Sequence, residues 1–129
     1  MAHPNEELMR KGYKAFAEGD LDAIRELFAD DIVWHVGGRN KLSGDYKGID
    51  EVFGFFGKLM EVGQNLKQEI HDVIANDEHA VVLVTTSMEV NGAPLKDNAV
   101  HVFHVQDGKA TEFWGHTWNS YEFDEALPA

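Results

Sequence analysis

The chain contains no cysteine, which excludes a disulfide framework and a thiolate nucleophile, so its fold must rest on packing alone. It is also poor in positive charge. Eleven Lys and Arg stand against 23 Asp and Glu, a formal charge of -12, and such a surface repels phosphate backbones and anionic lipid. Neither nucleic acid nor a membrane is an expected partner. No apolar run reaches the length of a membrane span, and the N-terminal MAHPNEELMRKGY has no signal-peptide core, so a cytoplasmic location is expected. The GxSxG elbow, the GxxxxGK phosphate loop and the dinucleotide glycine fingerprint are all missing, which leaves serine hydrolase, nucleotide hydrolase and dinucleotide chemistry without support. Seven histidines are present, but no HxH or HExxH pattern occurs, and His101 and His104 fall on opposite faces of a strand. No metal site and no cofactor are expected.

What is present reads as one domain over residues 1–129, since 129 residues suffice for one core and are too few for two typical ones. Pro4 suits the first turn of a helix, Glu6 and Glu7 suit its positive end, and Leu8, Gly12, Ala15 and Phe16 recur at helical spacing until Gly19 stops it. Asp20 is a natural N-cap for a short second helix with Leu21, Ile24, Leu27 and Phe28 on its apolar stripe. The pair Asp30-Asp31 launches a strand. A third helix, from about Ile49 to Val62, carries Val52, Phe55, Phe56, Leu59 and Met60 on one face.

Strands occupy the remainder: Leu66 to Ala75, His79 to Val90, Leu95 to Gln106 and Lys109 to Trp118. Asn91-Gly92 and Asp107-Gly108 separate the last three, and such dipeptides between strand-like runs are strong hairpin signals. An antiparallel meander follows. Strands of ten to twelve residues would reach ~35 to 40 Å, too long to lie flat in a domain of this size, so the sheet must coil and present a concave face.

The segment GDLDAIRELFADD, followed by a Gly-rich loop and the turn SGDYKG, resembles the start of the nuclear transport factor 2-like superfamily, which includes ketosteroid isomerases and SnoaL-like polyketide cyclases. The resemblance implies an α+β fold, a cone-shaped α+β barrel in which three N-terminal helices pack on a strongly curved antiparallel sheet around a pocket. Matched along GDLD, the catalytic tyrosine of ketosteroid isomerases falls on Gly12, their general-base aspartate on Val36 and their oxyanion-stabilising aspartate on His101. None is retained. Tyr13 lies one position away, about 100° round the helix. Val36 transfers no proton, so isomerisation of 3-ketosteroids is disfavoured.

Alternation predicts the pocket lining. With Val36 inward, Ile32 and Trp34 follow it, while Val33 and His35 point outward. His101, Phe103 and Val105 face inward on one strand, and Val82, Val84, Thr86 and Met88 on its neighbour. Polar groups are few: His101, Thr86 and the Trp34 indole N–H. Phe56 of the third helix and Tyr13 complete the candidate ligand contacts. For the last strand, a two-residue Asp107-Gly108 loop sets His101 opposite Trp114, and a three-residue loop sets it opposite Phe113. The resemblance favours Phe113 and Thr117 inward, with Trp114, His116 and Trp118 outward.

His101 has two readings of equal standing, a satisfied core histidine or a neutral imidazole that shuttles a proton or donates to a ligand carbonyl. Tyr13 and Tyr46 read as boundary residues with hydroxyls in water. Two functions follow from the lining and the resemblance. One is a cofactor-independent isomerase, cyclase or hydratase acting on a small hydrophobic molecule with His101 as acid/base; the other is a non-catalytic binding or dimerisation domain. Apolar and aromatic residues on the outer sheet face, among them Val81, Leu83, Trp114 and Trp118 beside His104, predict a homodimer through that face.

Overall fold

The computed structural model describes residues 2–129. Its elements run α1 (Pro4–Glu18), α2 (Leu21–Leu27), β1 (Phe28–Val36), β2 (Gly44–Lys47), α3 (Ile49–Val62), β3 (Gln64–Ala75), β4 (His79–Val90), β5 (Ala93–Gln106), β6 (Lys109–Thr117) and α4 (Ser120–Ala126). Helix boundaries obey the capping chemistry. Pro4 opens α1, the His3 ring accepts the Asn5 N–H at 3.0 Å, and Gly19 closes the helix in the left-handed region at φ 69°. Asp20 then caps α2 by accepting the Ala23 N–H at 3.1 Å. No helix of the described residues is long and apolar enough to cross a membrane.

The six strands form one unclosed, curved sheet in the order β2-β1-β6-β5-β4-β3. All pairings are antiparallel except β1 with β6, which run parallel. The architecture is the α+β cone expected from the sequence, with helices against the concave side. Both hairpin dipeptides turn as anticipated: Asn91, Gly92, Asp107 and Gly108 all have positive φ, the conformation of a two-residue type I′ loop.

Several details differ. Phe28 begins β1 instead of ending α2, Leu21 is 47% exposed at the first position of its helix, and Met60 is 57% exposed on the far side of α3. Two short elements went unrecognised. SGDYKG contributes an edge strand, β2, and the residues after Asn119 form α4. Neither expected pairing of His101 with the last strand holds. The turn pairs Gln106 with Lys109 as a two-residue loop should, but a bulge near Thr111 then slips the register, so His101 faces Gly115 and Phe103 faces Phe113. The slip turns the Phe113 ring inward, buried against Trp34, and leaves Trp118 81% exposed.

On the outer face, the His35 ring bridges two strands, with Nδ1 2.7 Å from Asp45 on β2 and Nε2 2.6 Å from Glu112 on β6. Both carboxylates raise its pKa, Asp45 foremost. A raised histidine contributes stability fully below its ordinary pKa and loses it as pH rises through the folded value. Glu112→Gln is therefore expected to cost more stability at pH 6 than at pH 9, measured by urea unfolding. Equal losses at the two pH values would mean that His35 carries no charge in the folded protein.

Candidate functional site

Between the helices and the concave face lies a cavity of about 350 Å³. One wall is aromatic. Trp34 stacks on Phe113 with ring centroids 3.7 Å apart and planes 13° from parallel, and Phe28, Phe55, Phe56 and Phe103 surround it at 5.4 to 6.3 Å. Every site residue selected from the sequence stands on the cavity wall: Tyr13, Trp34, Val36, Phe56, Thr86, Met88, His101, Phe103, Phe113 and Thr117. Period-two alternation in β1, β4 and β5 puts most of them there.

The structure joins two of these residues. The Tyr13 hydroxyl hydrogen-bonds His101 Nδ1, and the two rings lie nearly parallel, 5.9 Å apart. Tyr13 is thus no boundary residue with its hydroxyl in water; α1 is oriented so that this tyrosine reaches the cavity beside Gly12. Tyr46 also departs from expectation, its hydroxyl donating to the Leu42 carbonyl at 2.8 Å. Burial, with a smaller contribution from His116, pulls the His101 pKa down to about 4, and burial pushes the Tyr13 phenol up. Both are neutral near pH 7. One hydrogen then occupies the Tyr–His bond, and the pair keeps one further donor: Nε2–H if the tyrosine donates, the phenol O–H if Nδ1 donates. A depressed histidine makes a poor base, and the chemistry open to the neutral pair is that of a hydrogen-bond donor.

Asp97 was not selected from the sequence. It is 7% exposed, lines the same cavity, and has no hydrogen-bond partner for Oδ1. Burial raises its pKa to about 6, opposed by the Thr117 hydroxyl and the Trp118 N–H. This is the one wall carboxylate poised to gain and lose a proton near neutrality. The signal was available: the alternation that places His101 inward also places Asp97 inward, four residues earlier on β5. Across the sheet, Gln68, Thr86 and Asp97 pair in register, giving a polar row on an otherwise apolar floor. Trp34 Nε1 likewise lacks a partner.

Space beside His101 depends on Gly115, which pairs with it from β6 and whose added Cβ would stand 3.1 Å from the Phe113 ring. Gly115→Val is expected to destabilise the fold by about 1 to 3 kcal/mol through overpacking, read as a lowered urea midpoint. An unchanged midpoint would mean that the ring yields freely. At the other end, α4 supplies Ser120 and Phe123 to the wall. Asp124 fastens this helix, accepting the Arg39 N–H at 2.8 Å and the Asn40 side-chain amide at 2.9 Å. Gly38, at φ 90°, permits that approach, since a Cβ there would stand 2.9 Å from the Asp124 carboxylate.

A curved sheet and helices enclosing an apolar cavity, with a few buried polar groups on its wall, define a cone-shaped α+β domain. Residues 9–113 match the profile of the SnoaL-like domain. The chain belongs to this family, within the nuclear transport factor 2-like superfamily. It is 30% identical over 79 residues to the uncharacterized protein Rv0034 of Mycobacterium tuberculosis (strain ATCC 25618 / H37Rv), a match covering 60% of each chain. Among solved structures, Bal32a from a soil-derived mobile gene cassette is 30% identical, with 96% of each chain covered and a TM-score of 0.90. A nuclear transport factor 2-like protein of unknown function from Burkholderia pseudomallei K96243 is 27% identical, covering 99% of this chain and 100% of its own, with a TM-score of 0.88. TerC, co-crystallized with polyporic acid, shares the fold at 21% identity and a TM-score of 0.86, covering 98% of this chain and 100% of its own.

Proposed function

We propose that the cavity binds a small, largely apolar molecule bearing oxygen, and that the protein transfers a proton on it without a cofactor, as an isomerase, cyclase or hydratase does. The observation that carries this reading is the Tyr13–His101 pair, a neutral donor held in an apolar cavity that also contains the titratable Asp97. In the reaction, the Asp97 carboxylate takes a proton from one end of a conjugated ligand, the electron pair moves along the conjugation toward a carbonyl oxygen at the other end, and the donor of the Tyr13–His101 pair stabilises the charge there. The proton then returns from Asp97 to a different ligand atom. TerC, of the same fold, was co-crystallized with polyporic acid, which is in keeping with occupancy of such a cavity.

The test is a ligand screen followed by deuterium incorporation from D2O, comparing the wild type with Tyr13→Phe and His101→Ala. Removing the donor is expected to slow exchange by about 10²-fold or more. Equal rates in all three proteins would remove the pair from the mechanism, and binding without exchange would leave a carrier in place of an enzyme.

The outer sheet face further supports a homodimer: Val81, Leu83 and Trp114 remain half-buried there and Trp118 is 81% exposed. Light scattering at micromolar concentration is expected to give twice the 14.5 kDa chain mass. A monomer would overturn the assignment.

A further inference from the structure

The cavity wall is least secure at α4. Like α2 it has seven residues, too few to hold a helix by its own hydrogen bonds. The Asp20 cap and Arg25 in the last turn support α2, whereas α4 has no side-chain cap bond and no basic residue in its last turn, where Asp124 and Glu125 oppose the helix dipole. What keeps α4 in place is tertiary. Phe123 and Leu127, four residues apart on one face, are 8% and 2% exposed. Three sets of hydrogen bonds pin the segment: Asn119 donates to the Lys96 carbonyl at 2.8 Å, Asp124 accepts from Arg39 and Asn40, and the Lys41 N–H donates to the Leu127 carbonyl at 2.9 Å. The Asn119 amide oxygen is left buried without a partner. Hollows lie on both sides of the segment: Ser120 and Phe123 line the cavity, while Ala126, Leu127 and Pro128 line a separate groove of about 380 Å³ shared with Val62 and Val90. It is a thin partition with space before and behind it.

Resting on the binding reading above, we propose that residues 119–128 are a strap that gates the cavity, and that ligands enter and leave as it swings toward the outer groove about a hinge at Trp118. Opening breaks the Asp124 and Leu127 bonds and exposes two apolar side chains, but it also hydrates the orphaned Asn119 oxygen. The freed amides and carboxylate re-form their bonds with water. Opening is therefore a local unfolding at the low end of the free-energy range of a folded domain, far below that of the sheet. Nothing holds the hinge itself closed, since Trp118 and Tyr121 are 81% and 62% exposed. Asp124 is the latch.

The chain has no cysteine, so Asn40→Cys combined with Pro128→Cys, an antiparallel bridged pair, creates a single disulfide that locks the strap at its far end and that reduction reopens. Nile red, a neutral apolar dye, is the probe, followed by stopped-flow fluorescence. Its association and dissociation are expected to be about 10-fold or more slower in the oxidised double variant than in the same protein reduced. In Asp124→Ala both rates should exceed those of the wild type by about 10-fold, the effect of losing hydrogen bonds to a charged acceptor, with little change in Kd. Hydrogen exchange reads the gate without any ligand: backbone amides of residues 123–127 should exchange at least about 100-fold faster than those of β4 and β5. The latch variant and the exchange measurement decide the matter even if the cysteine pair fails to fold. Equal dye rates in wild type and Asp124→Ala, equal rates in the oxidised and reduced forms, or strap amides as protected as those of β5, would overturn the gate and leave the cavity reading intact. If Nile red binds none of these proteins, the cavity reading falls and the gate with it.

Discussion

Asp97→Asn is expected to make the protein more stable at pH 7.5 and to suppress the proton transfer proposed above. The carboxyl is buried, and its folded pKa of about 6 lies above the ordinary 3.8. A raised carboxylate is a destabilising one: the folded state holds its proton more tightly than the unfolded chain, so stability is lost as pH rises from about 4 through 6. At pH 7.5 this amounts to about 3 kcal/mol at most, and a neutral amide of the same shape recovers some of it, about 1 to 3 kcal/mol. Turnover should fall by about 10² to 10⁴, the usual worth of a positioned base.

The same variant alters the pH profile. His101, depressed to about 4 from an ordinary 6.5, makes the fold lose stability as pH drops through that window, by an amount similar to what Asp97 regains. In the wild type the two slopes oppose each other and give a shallow profile between pH 6.5 and 4. Without Asp97 the histidine slope stands alone. Urea unfolding of both proteins at pH 7.5 and 4.5 measures the difference directly. A variant that is less stable at pH 7.5, or whose acid slope equals that of the wild type, would show that Asp97 is not a strained carboxyl.

Trp34→Ala is expected to cost about 3 to 5 kcal/mol, a large share of the stability of any small domain. The indole sits at 7% exposure in the middle of the aromatic wall, stacked on Phe113 and in edge contact with Phe56 and Phe103. Its removal leaves a hole that the five surrounding rings cannot all close. Trp34→Phe provides the contrast, since it keeps a ring and deletes the unpartnered N–H, whose burial costs about 1 to 3 kcal/mol. That variant should lose at least about 2 kcal/mol less than the alanine, measured as the difference in urea midpoints. Similar losses would mean that the indole N–H is satisfied in solution.

The legible parts of this fold were those governed by short-range rules. Gly19 and Asp20 end one helix and cap the next whatever lies around them, and Asn91-Gly92 and Asp107-Gly108 turn a hairpin because those residues tolerate positive φ. Alternation placed Trp34, Thr86 and Phe103 inward because strand side chains alternate rigidly. Asp97 obeys the same rule, but nothing in its local sequence distinguishes a buried acidic strand residue from a solvated one. The bulge near Thr111 was illegible for a different reason. Nothing in KATEFWGHT marks where an extra residue is accommodated; the choice follows from fitting β6 against β5 on one side and β1 on the other.

The Tyr13–His101 bond shows where sequence stops. The residues are 88 positions apart, and their meeting depends on the angle at which α1 crosses the sheet and on the register of β5. Composition, capping and periodicity determined on their own that this chain makes an acidic α+β domain with an apolar concave face. Only the tertiary structure decided which polar groups share that cavity, because their contacts arise from packing between distant elements and shift with every rotation of a helix or slip of a strand.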